Sequence, residues 1–293
     1  MCSINHDLKA IYIHVPKCGG SFIGTILRHY YDFESIRLPH EKHKDFNSLF
    51  DNNNYNYEDD DDLNKCDCRF CNSYGDAFTT TEQGILRYYS SSKLYNLILE
   101  MNEYKWKNYK KFTIIRNPYD KFISAWKFIY RKKNVTESNL DEYINKSKSE
   151  LYDFDKFAYS HSHITSCDHL LDVNNELNID YIGSFENLNE DLCDILLKIG
   201  VDKIKHRKEL EENIKYNANE HATYIEYYDD SIIEKLNKIL QKDFDTFKQY
   251  KQVYTLEEMK EDSSKYLISQ EDFNEKNKNL VKRLEKYDLI VEK

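Results

Sequence analysis

The chain has 293 residues, of which 40% are hydrophobic and 32% are charged, so it is long enough to bury one sizeable core. Its formal net charge of -10 disfavours general nucleic-acid binding and a surface adapted to strongly anionic polymers. We therefore expect one α/β domain with appendages, in which any basic cleft is local.

The patterns of targeting signals and of disulfide frameworks bear on the compartment of the protein. Residues 1–10 contain no apolar signal-peptide core, and no later segment approaches the roughly 18 continuous apolar residues of a membrane helix. The seven cysteines are an odd number and unevenly spread, which favours reduced thiols over a disulfide framework. We expect a cytoplasmic or otherwise soluble intracellular protein without a membrane anchor.

The first predicted element is a short apolar strand at residues 11–15, followed by turn residues at 16–20. Ser21 is the expected N-cap of a helix that reaches about residue 30. A strand, a tight loop and a helix start place backbone N–H groups and the positive end of a helix dipole at one point. This arrangement can receive an anion.

The loop between this strand and helix has the residues of a phosphate cradle. Gly19 and Gly20 let the backbone close around a phosphate, and Lys17 adds a positive charge. A Walker A loop places its lysine after the last glycine, whereas Lys17 precedes the glycine pair. The loop therefore predicts phosphate binding but disfavours an ordinary nucleoside triphosphatase.

An insertion rich in asparagine and aspartate is expected to form a mobile surface segment at residues 51–75. It contains Cys66, Cys68 and Cys71, but tetrahedral zinc needs a fourth ligand. The residues that could fold back to supply it are His43, Cys18 and His40. A zinc site and free thiols both stay open, and free thiols are the simpler interpretation, so no metal is expected.

A second strand is predicted at residues 112–115, after a helix that begins near Thr79. Asp120 is expected to cap the helix that follows this strand. In a β-α-β unit the carboxyl ends of parallel strands meet at one sheet edge, where ligands bind. We therefore expect Lys17 and Arg116 at the same edge.

The remaining elements are a strand at residues 181–185 and helices at 191–199 and 232–247. We assign residues 1–254 to the main domain and 255–293 to a charged helical tail. Apolar residues recur in the tail at near-helical spacing, which favours packing on its own domain over binding of a partner.

A second histidine-rich cluster precedes the strand at 181–185. His161, His163 and His169 lie around Cys167 in the sequence, so a second zinc site is conceivable. Polar side chains on a loop need no metal, and this is the simpler interpretation.

Three motifs resemble those of sulfotransferases that use 3′-phosphoadenosine 5′-phosphosulfate (PAPS). Pro-Lys-x-Gly-Gly-Ser at 16–21 is similar to their 5′-phosphosulfate loop, and Arg116-Asn-Pro-Tyr-Asp with Ser124-Ala is similar to their 3′-phosphate motif. Gly-Ser-Phe-Glu-Asn-Leu at 183–188 resembles their Gly-Arg-Phe-Glu-Asn-Leu segment. The order and rough spacing over about residues 10–250 resemble the Golgi carbohydrate class, which includes heparan sulfate 2-O- and chondroitin 4-O-sulfotransferases.

This resemblance implies an α/β fold with a central parallel sheet flanked by helices, a P-loop-like nucleotide-binding fold. It implies PAPS as the donor, 3′-phosphoadenosine 5′-phosphate (PAP) as the product, and no required metal. Lys17 would lie beside the 5′-phosphate and bridging oxygen, while Arg116 and Ser124 would hold the 3′-phosphate. The implied donor-binding residues are Lys17, Cys18, Gly19, Gly20, Ser21, Phe22, Arg116 and Ser124.

Some of these residues have structural alternatives. Arg116 could form a salt bridge at a strand end and Ser124 could pack a helix, although neither role explains their joint occurrence in one motif. Cys18 stands where the family usually has threonine. A thiol at a helix N-terminus beside Lys17 could have a lowered pKa and be oxidisable, but loss of a hydroxyl donor is the more economical consequence.

A hydroxyl acceptor needs a base to remove its proton. In the resembling enzymes the segment after the first helix often supplies a histidine, so His40 and His43 are the candidates, and each could instead be a surface histidine. Glu41 and His163 are reserves. We expect Glu186 to orient the basic residues of the donor site rather than to act as the base.

The sequence thus predicts a PAPS-dependent O-sulfotransferase whose partners are a small-molecule donor and a glycan acceptor, with no nucleic acid and no membrane. Two alternatives stay open: a non-catalytic protein that binds PAP or a sulfated ligand on this fold, and a small-molecule or nucleotide kinase. The absent Gly-Lys-Ser/Thr order disfavours the kinase. The 25 tyrosines could line a sugar cleft or reflect compositional bias, so the acceptor and the oligomeric state stay open.

Overall fold

One five-stranded mixed sheet organises the computed structural model, which describes residues 2–35, 103–130, 165–171, 175–212, 224–265 and 269–291. The strands are β1 Ser3–Asn5, β2 Ala10–Tyr12, β3 Glu34–Ser35, β4 Lys110–Ile115 and β5 Tyr181–Ser184. The helices in these ranges are α1 Gly20–Tyr31, α2 Glu103–Asn108, α3 Pro118–Tyr130, α4 Cys167–Leu170, α5 Leu188–Ile199, α6 Arg207–Glu211, α7 Asp230–Thr246, α8 Leu256–Ser263 and α9 Gln270–Lys286. Short 3₁₀ turns occupy Phe185–Asn187 and Tyr224–Tyr227.

The strand order is β3-β1-β2-β4-β5, and its centre is parallel. β2 pairs with β4 through Ala10 and Lys110, and β4 pairs with β5 through Phe112 and Tyr181. This arrangement confirms the predicted central parallel sheet flanked by helices. The antiparallel β1–β2 hairpin was not predicted; its turn is closed by the side chain of Asn5, which accepts a hydrogen bond from the backbone N–H of Leu8 at 2.7 Å.

The two central parallel strands, β2 and β4, are buried on both faces, so their sequences are apolar runs rather than alternating patterns. All of β2 is fully buried, and so are residues 111–115 of β4. Helix α1 buries one apolar side, including Ile23 and Leu27, and α5 buries another, including Leu196. These helices flank the sheet and fix where the loops after β2 and β4 emerge.

Two predicted helix caps are wrong. Helix α1 begins at Gly20 with Gly19 as its N-cap, so Ser21 lies inside the first turn. Helix α3 begins at Pro118, whose fixed φ suits the first helical position, and Asp120 lies in the first turn as an acidic residue near the positive helix end. In both cases a residue with special backbone properties, rather than a polar side chain, starts the helix.

The C-terminal residues form helices that pack on the rest of the protein. Helix α8 is capped by Thr255 and α9 by Ser269, whose side chains accept first-turn N–H bonds. Helix α9 buries an apolar stripe and contacts α5 and α6. On its polar side, Arg283 pairs with Glu190 at 2.8 Å and with Asp194 at 2.9 Å on α5.

Several sequence predictions concern residues outside these ranges. The insertion at 51–75 and the helix predicted near Thr79 both lie outside the described residues. Within the described ranges, none of the helices combines the length and apolar character required to cross a membrane.

Candidate functional site

The loop after β2 is held against β4 by two hydrogen bonds. The backbone N–H of Ile13 donates to the carbonyl of Phe112 at 2.9 Å, and the hydroxyl of Thr113 donates to the carbonyl of Ile13 at 2.8 Å. Beyond this anchor, Lys17 and Gly19 have left-handed backbones with φ of 67° and 78°. A non-glycine residue in this region is uncommon and costs backbone energy, so the loop conformation is fixed by its surroundings.

The loop delivers the chain to an open helix start. The first intrahelical bond of α1 runs from the N–H of Ile23 to the carbonyl of Gly19 at 3.0 Å. The N–H groups of Gly20 and Ser21 precede this bond in the first turn, where helix geometry supplies no intrahelical acceptor. The first turn contains no acidic side chain, and the glycine cap has no side-chain acceptor to offer. The positive end of α1 is thus suited to an anion.

Packing favours glycine at both positions of the pair, and the backbone conformation favours it at Gly19 as well. A Cβ at Gly19 would lie 3.1 Å from Leu188 and 3.3 Å from Phe185. A Cβ at Gly20 would lie 2.1 Å from Nε2 of His14, closer than real Cβ contacts allow. The loop is therefore closely packed on both sides of the glycine pair.

Arg116 joins this loop to the end of β4. Its Nη1 donates to the carbonyl of Lys17 at 3.1 Å, and its Nε donates to Asp120 at 2.7 Å. The guanidinium also stacks on Phe185, 4.2 Å from the ring centroid, as a cation–π contact. The salt-bridge alternative for Arg116 is therefore realised, and the same side chain also holds the lysine loop at the sheet edge.

The loops after β2 and β4 thus meet as the β-α-β rule requires. Ser124 is half-buried on α3, while the side chain of Ser21 is exposed on α1. His40 and His43, the candidate bases, and the reserves Glu41 and His163 lie outside the described residues.

Glu186 connects the third motif to the second. Its carboxylate accepts hydrogen bonds from the backbone N–H of Asn117 at 2.8 Å, from the Tyr250 hydroxyl at 2.7 Å and from the Ser184 hydroxyl. Glu186 therefore anchors the peptide that follows Arg116, rather than holding a basic side chain directly. Tyr250 was missed in the sequence, because a partner 64 residues away leaves no local signal.

The Cys18 side chain faces the interior. The residue is fully buried, and its thiol donates to the carbonyl of Pro16 at 3.6 Å. Burial raises the pKa of the thiol to about 12, outweighing the opposite influence of the positive charges on Lys121 and Arg116. The alternative of a lowered thiol pKa is therefore wrong, and the residue can offer an anion its backbone but not its side chain.

Two buried residues of opposite charge influence Cys18 electrostatically. Lys121 and Asp243 are both fully buried, and the carboxylate accepts hydrogen bonds from the N–H groups of Ser166 at 2.7 Å and Cys167 at 2.8 Å. Burial raises the pKa of Asp243, and the charge of Lys121 opposes that change. The carboxylate of Asp243 thereby ties α7 to the short segment that carries α4.

The metal predictions are only partly covered by the structure. Among the residues that it describes, no group of three or more histidine, cysteine or acidic side chains could hold a metal ion. His169 and Cys167 are buried within α4. Apart from Cys18, the other residues considered for the two zinc sites lie outside the described ranges; they are His40, His43, Cys66, Cys68, Cys71, His161 and His163.

The fold and these contacts define an α/β protein in which a strand–loop–helix start and an adjacent arginine meet at one sheet edge. A sequence model described as "Sulfotransferase family" matches residues 2–251, so the chain belongs to the sulfotransferase family. Searches of curated proteins and of solved structures gave no significant match. Membership supports sulfuryl transfer from a small-molecule donor to an acceptor substrate.

Proposed function

We propose that this protein transfers the sulfuryl group of PAPS to a hydroxyl of a carbohydrate acceptor. The observation that carries the proposal is the 3.1 Å hydrogen bond from Arg116 to the carbonyl of Lys17. It brings together the two motifs that resemble the 5′- and 3′-phosphate loops of PAPS enzymes. One donor with a phosphate at each end explains why a chain of this family would join these loops.

At the 5′ end, the N–H groups of α1 and the charge of Lys17 would receive the phosphosulfate, assisted by the hydroxyl of Ser21. The backbone of Cys18 and Gly19 would complete the cradle. The buried thiol of Cys18 takes no part, so the absence of the usual threonine does not by itself argue against donor binding here.

At the 3′ end, Arg116 and Ser124 would hold the phosphate. A guanidinium has five N–H donors, so the bonds to Asp120 and to the Lys17 carbonyl leave capacity for a phosphate. The stacking of Arg116 on Phe185 fixes the plane of the guanidinium group. Glu186 would keep this plane in place through the peptide of Asn117.

The reaction is an in-line displacement at sulfur. The acceptor oxygen forms a bond to sulfur as the bond between sulfur and the bridging oxygen of the 5′-phosphate breaks, and PAP leaves. Lys17 would neutralise the charge that develops on the leaving oxygen. His40 or His43 would take the proton of the acceptor hydroxyl, and no metal is required in this scheme.

Calorimetric titration with PAP and with ATP tests the proposal. We expect PAP to bind more tightly than ATP. Each of the substitutions Lys17→Ala and Arg116→Ala should lower the affinity for PAP. The matched control is Lys238→Ala, an exposed lysine on α7. Preferential binding of ATP would contradict the proposal and favour the kinase.

Turnover of sulfate-labelled PAPS with a panel of hydroxyl acceptors separates the enzyme from a binding protein. We expect transfer that is lost in His40→Ala or His43→Ala while PAP binding persists. If both variants form labelled product as fast as the wild-type protein does, the assignment of the base is wrong.

A further inference from the structure

We propose that His14 is a further donor-site residue, which positions the 5′-phosphate end of the donor through Nε2 of its imidazole. This inference rests on the proposed PAPS site. It adds a side chain that belongs to neither phosphate motif and differs in role from the candidate bases, because His14 would bind the donor rather than remove a proton.

The position of the ring is fixed by its contact with Gly20. A Cβ built on Gly20 would lie 2.1 Å from Nε2, 2.3 Å from Cδ2 and 3.2 Å from Cε1 of His14. The imidazole therefore occupies the space that a side chain at position 20 would need. His14 is half-buried and lies beside Tyr12, with ring centroids 6.3 Å apart, so β2 determines where the ring emerges.

This contact places the ring nitrogen beside the first turn of α1. In a helix each Cα–Cβ bond points outward from the axis and is tilted toward the N-terminus, so the space beyond the missing Cβ of Gly20 lies beside the first turn, toward its N-terminal end. The first N–H groups of α1 point toward the same end. Nε2 of His14 therefore lies next to the helix start from which these N–H groups emerge, and the loop that leads to this start carries Lys17.

The chemistry of imidazole suits this region. A ring nitrogen that carries hydrogen donates to a phosphate oxygen, and a hydrogen bond to a charged group is stronger than one between neutral groups. Glycine at position 20 then has two functions: it lets the backbone approach the phosphate and it leaves room for the imidazole. The pair His14–Gly20 would act as one unit in donor binding.

A double-mutant cycle tests this unit with PAP and with adenosine 3′-phosphate, which lacks the 5′-phosphate. We expect His14→Ala to lower the affinity for PAP roughly tenfold to a hundredfold, as for a lost hydrogen bond to a charged group. The affinity for adenosine 3′-phosphate should change less than about twofold. Gly20→Ala should also weaken PAP, because its methyl group displaces the ring. The fold-loss of PAP affinity in the double variant should be smaller than the product of the two single-variant fold-losses.

Two further variants separate ligand contact from folding. His14→Gln retains an N–H donor at the end of the side chain and should keep most of the PAP affinity, whereas His29→Ala, an exposed histidine on α1, should have no effect. Unchanged PAP binding in His14→Ala, or equal losses for both ligands, would overturn the inference while leaving the proposed function standing. A wild-type protein that does not bind PAP would overturn the proposed function itself.

Discussion

Replacing Glu186 with alanine should loosen the donor site and destabilise the protein together. The carboxylate accepts three hydrogen bonds, from the Asn117 peptide, the Tyr250 hydroxyl and the Ser184 hydroxyl. Asn117 and Tyr250 are 2% and 3% exposed, so their donors would lose this partner where water has little access. A buried donor without an acceptor costs about 1–3 kcal/mol.

The magnitude follows from how the three donors can respond. The hydroxyls of Ser184 and Tyr250 already lie 3.3 Å apart and can form a hydrogen bond with each other. The Asn117 N–H is therefore the donor that loses its acceptor in the variant. Because Glu186 is only half-buried, water can replace part of the carboxylate. We therefore expect Glu186→Ala to lower the free energy of unfolding by about 2 kcal/mol.

Urea unfolding followed by circular dichroism measures this loss, and calorimetry with PAP measures its effect on the site. Glu186→Gln should cost less, because its amide oxygen can still accept from Asn117. The surface control is Glu234→Ala, whose side chain is 72% exposed and should change stability by less than about 0.5 kcal/mol. If Glu186→Ala were as stable as Glu234→Ala and bound PAP normally, Glu186 would not be an anchor.

Three other predictions concern buried positions. Gly183→Ala should cost about 1–3 kcal/mol in a urea unfolding experiment, because its Cβ would lie 2.5 Å from Cδ1 of Ile114; wild-type stability would contradict this packing. Cys18 should resist iodoacetamide at pH 8 in the folded protein, since burial raises its pKa to about 12, and rapid labelling seen by mass spectrometry would refute that burial. Burial lowers the pKa of His206 to about 3, below the roughly 6.5 of an unfolded histidine, so its contribution to stability is intact above pH 6.5 and falls by about 1.4 kcal/mol per unit as pH drops toward 3. His206→Asn should flatten this pH dependence and His29→Asn should not; equal slopes in all three proteins would show that His206 is not the group involved.

The meeting of the two loops could be predicted from the sequence because it depends on local patterns. Each loop follows an apolar strand, and the handedness of β-α-β units places the ends of such strands at one edge. The bond between Arg116 and the Lys17 carbonyl is a consequence of that topology. The glycine pair was also informative, since few other residues permit the φ of 78° at Gly19.

Contacts between distant residues could not be predicted in this way. The bond from Tyr250 to Glu186 and the packing of His14 on Gly20 depend on how side chains meet after the sheet and helices have assembled. The inward orientation of Cys18 also has no sequence signal, because a loop residue can face either side. The assignments of His40 and His43 stay predictions.

The most direct test of the two-ended donor site is to titrate Lys17→Ala and Ser124→Ala with PAP, adenosine 5′-phosphate and adenosine 3′-phosphate. We expect Lys17→Ala to weaken binding of the two ligands that carry a 5′-phosphate, and Ser124→Ala to weaken binding of the two that carry a 3′-phosphate. Each loss of affinity should be roughly tenfold to a hundredfold, as for one lost hydrogen bond to a charged group. Losses that do not depend on which phosphate the ligand carries, or no losses at all, would contradict the assignment of the two loops.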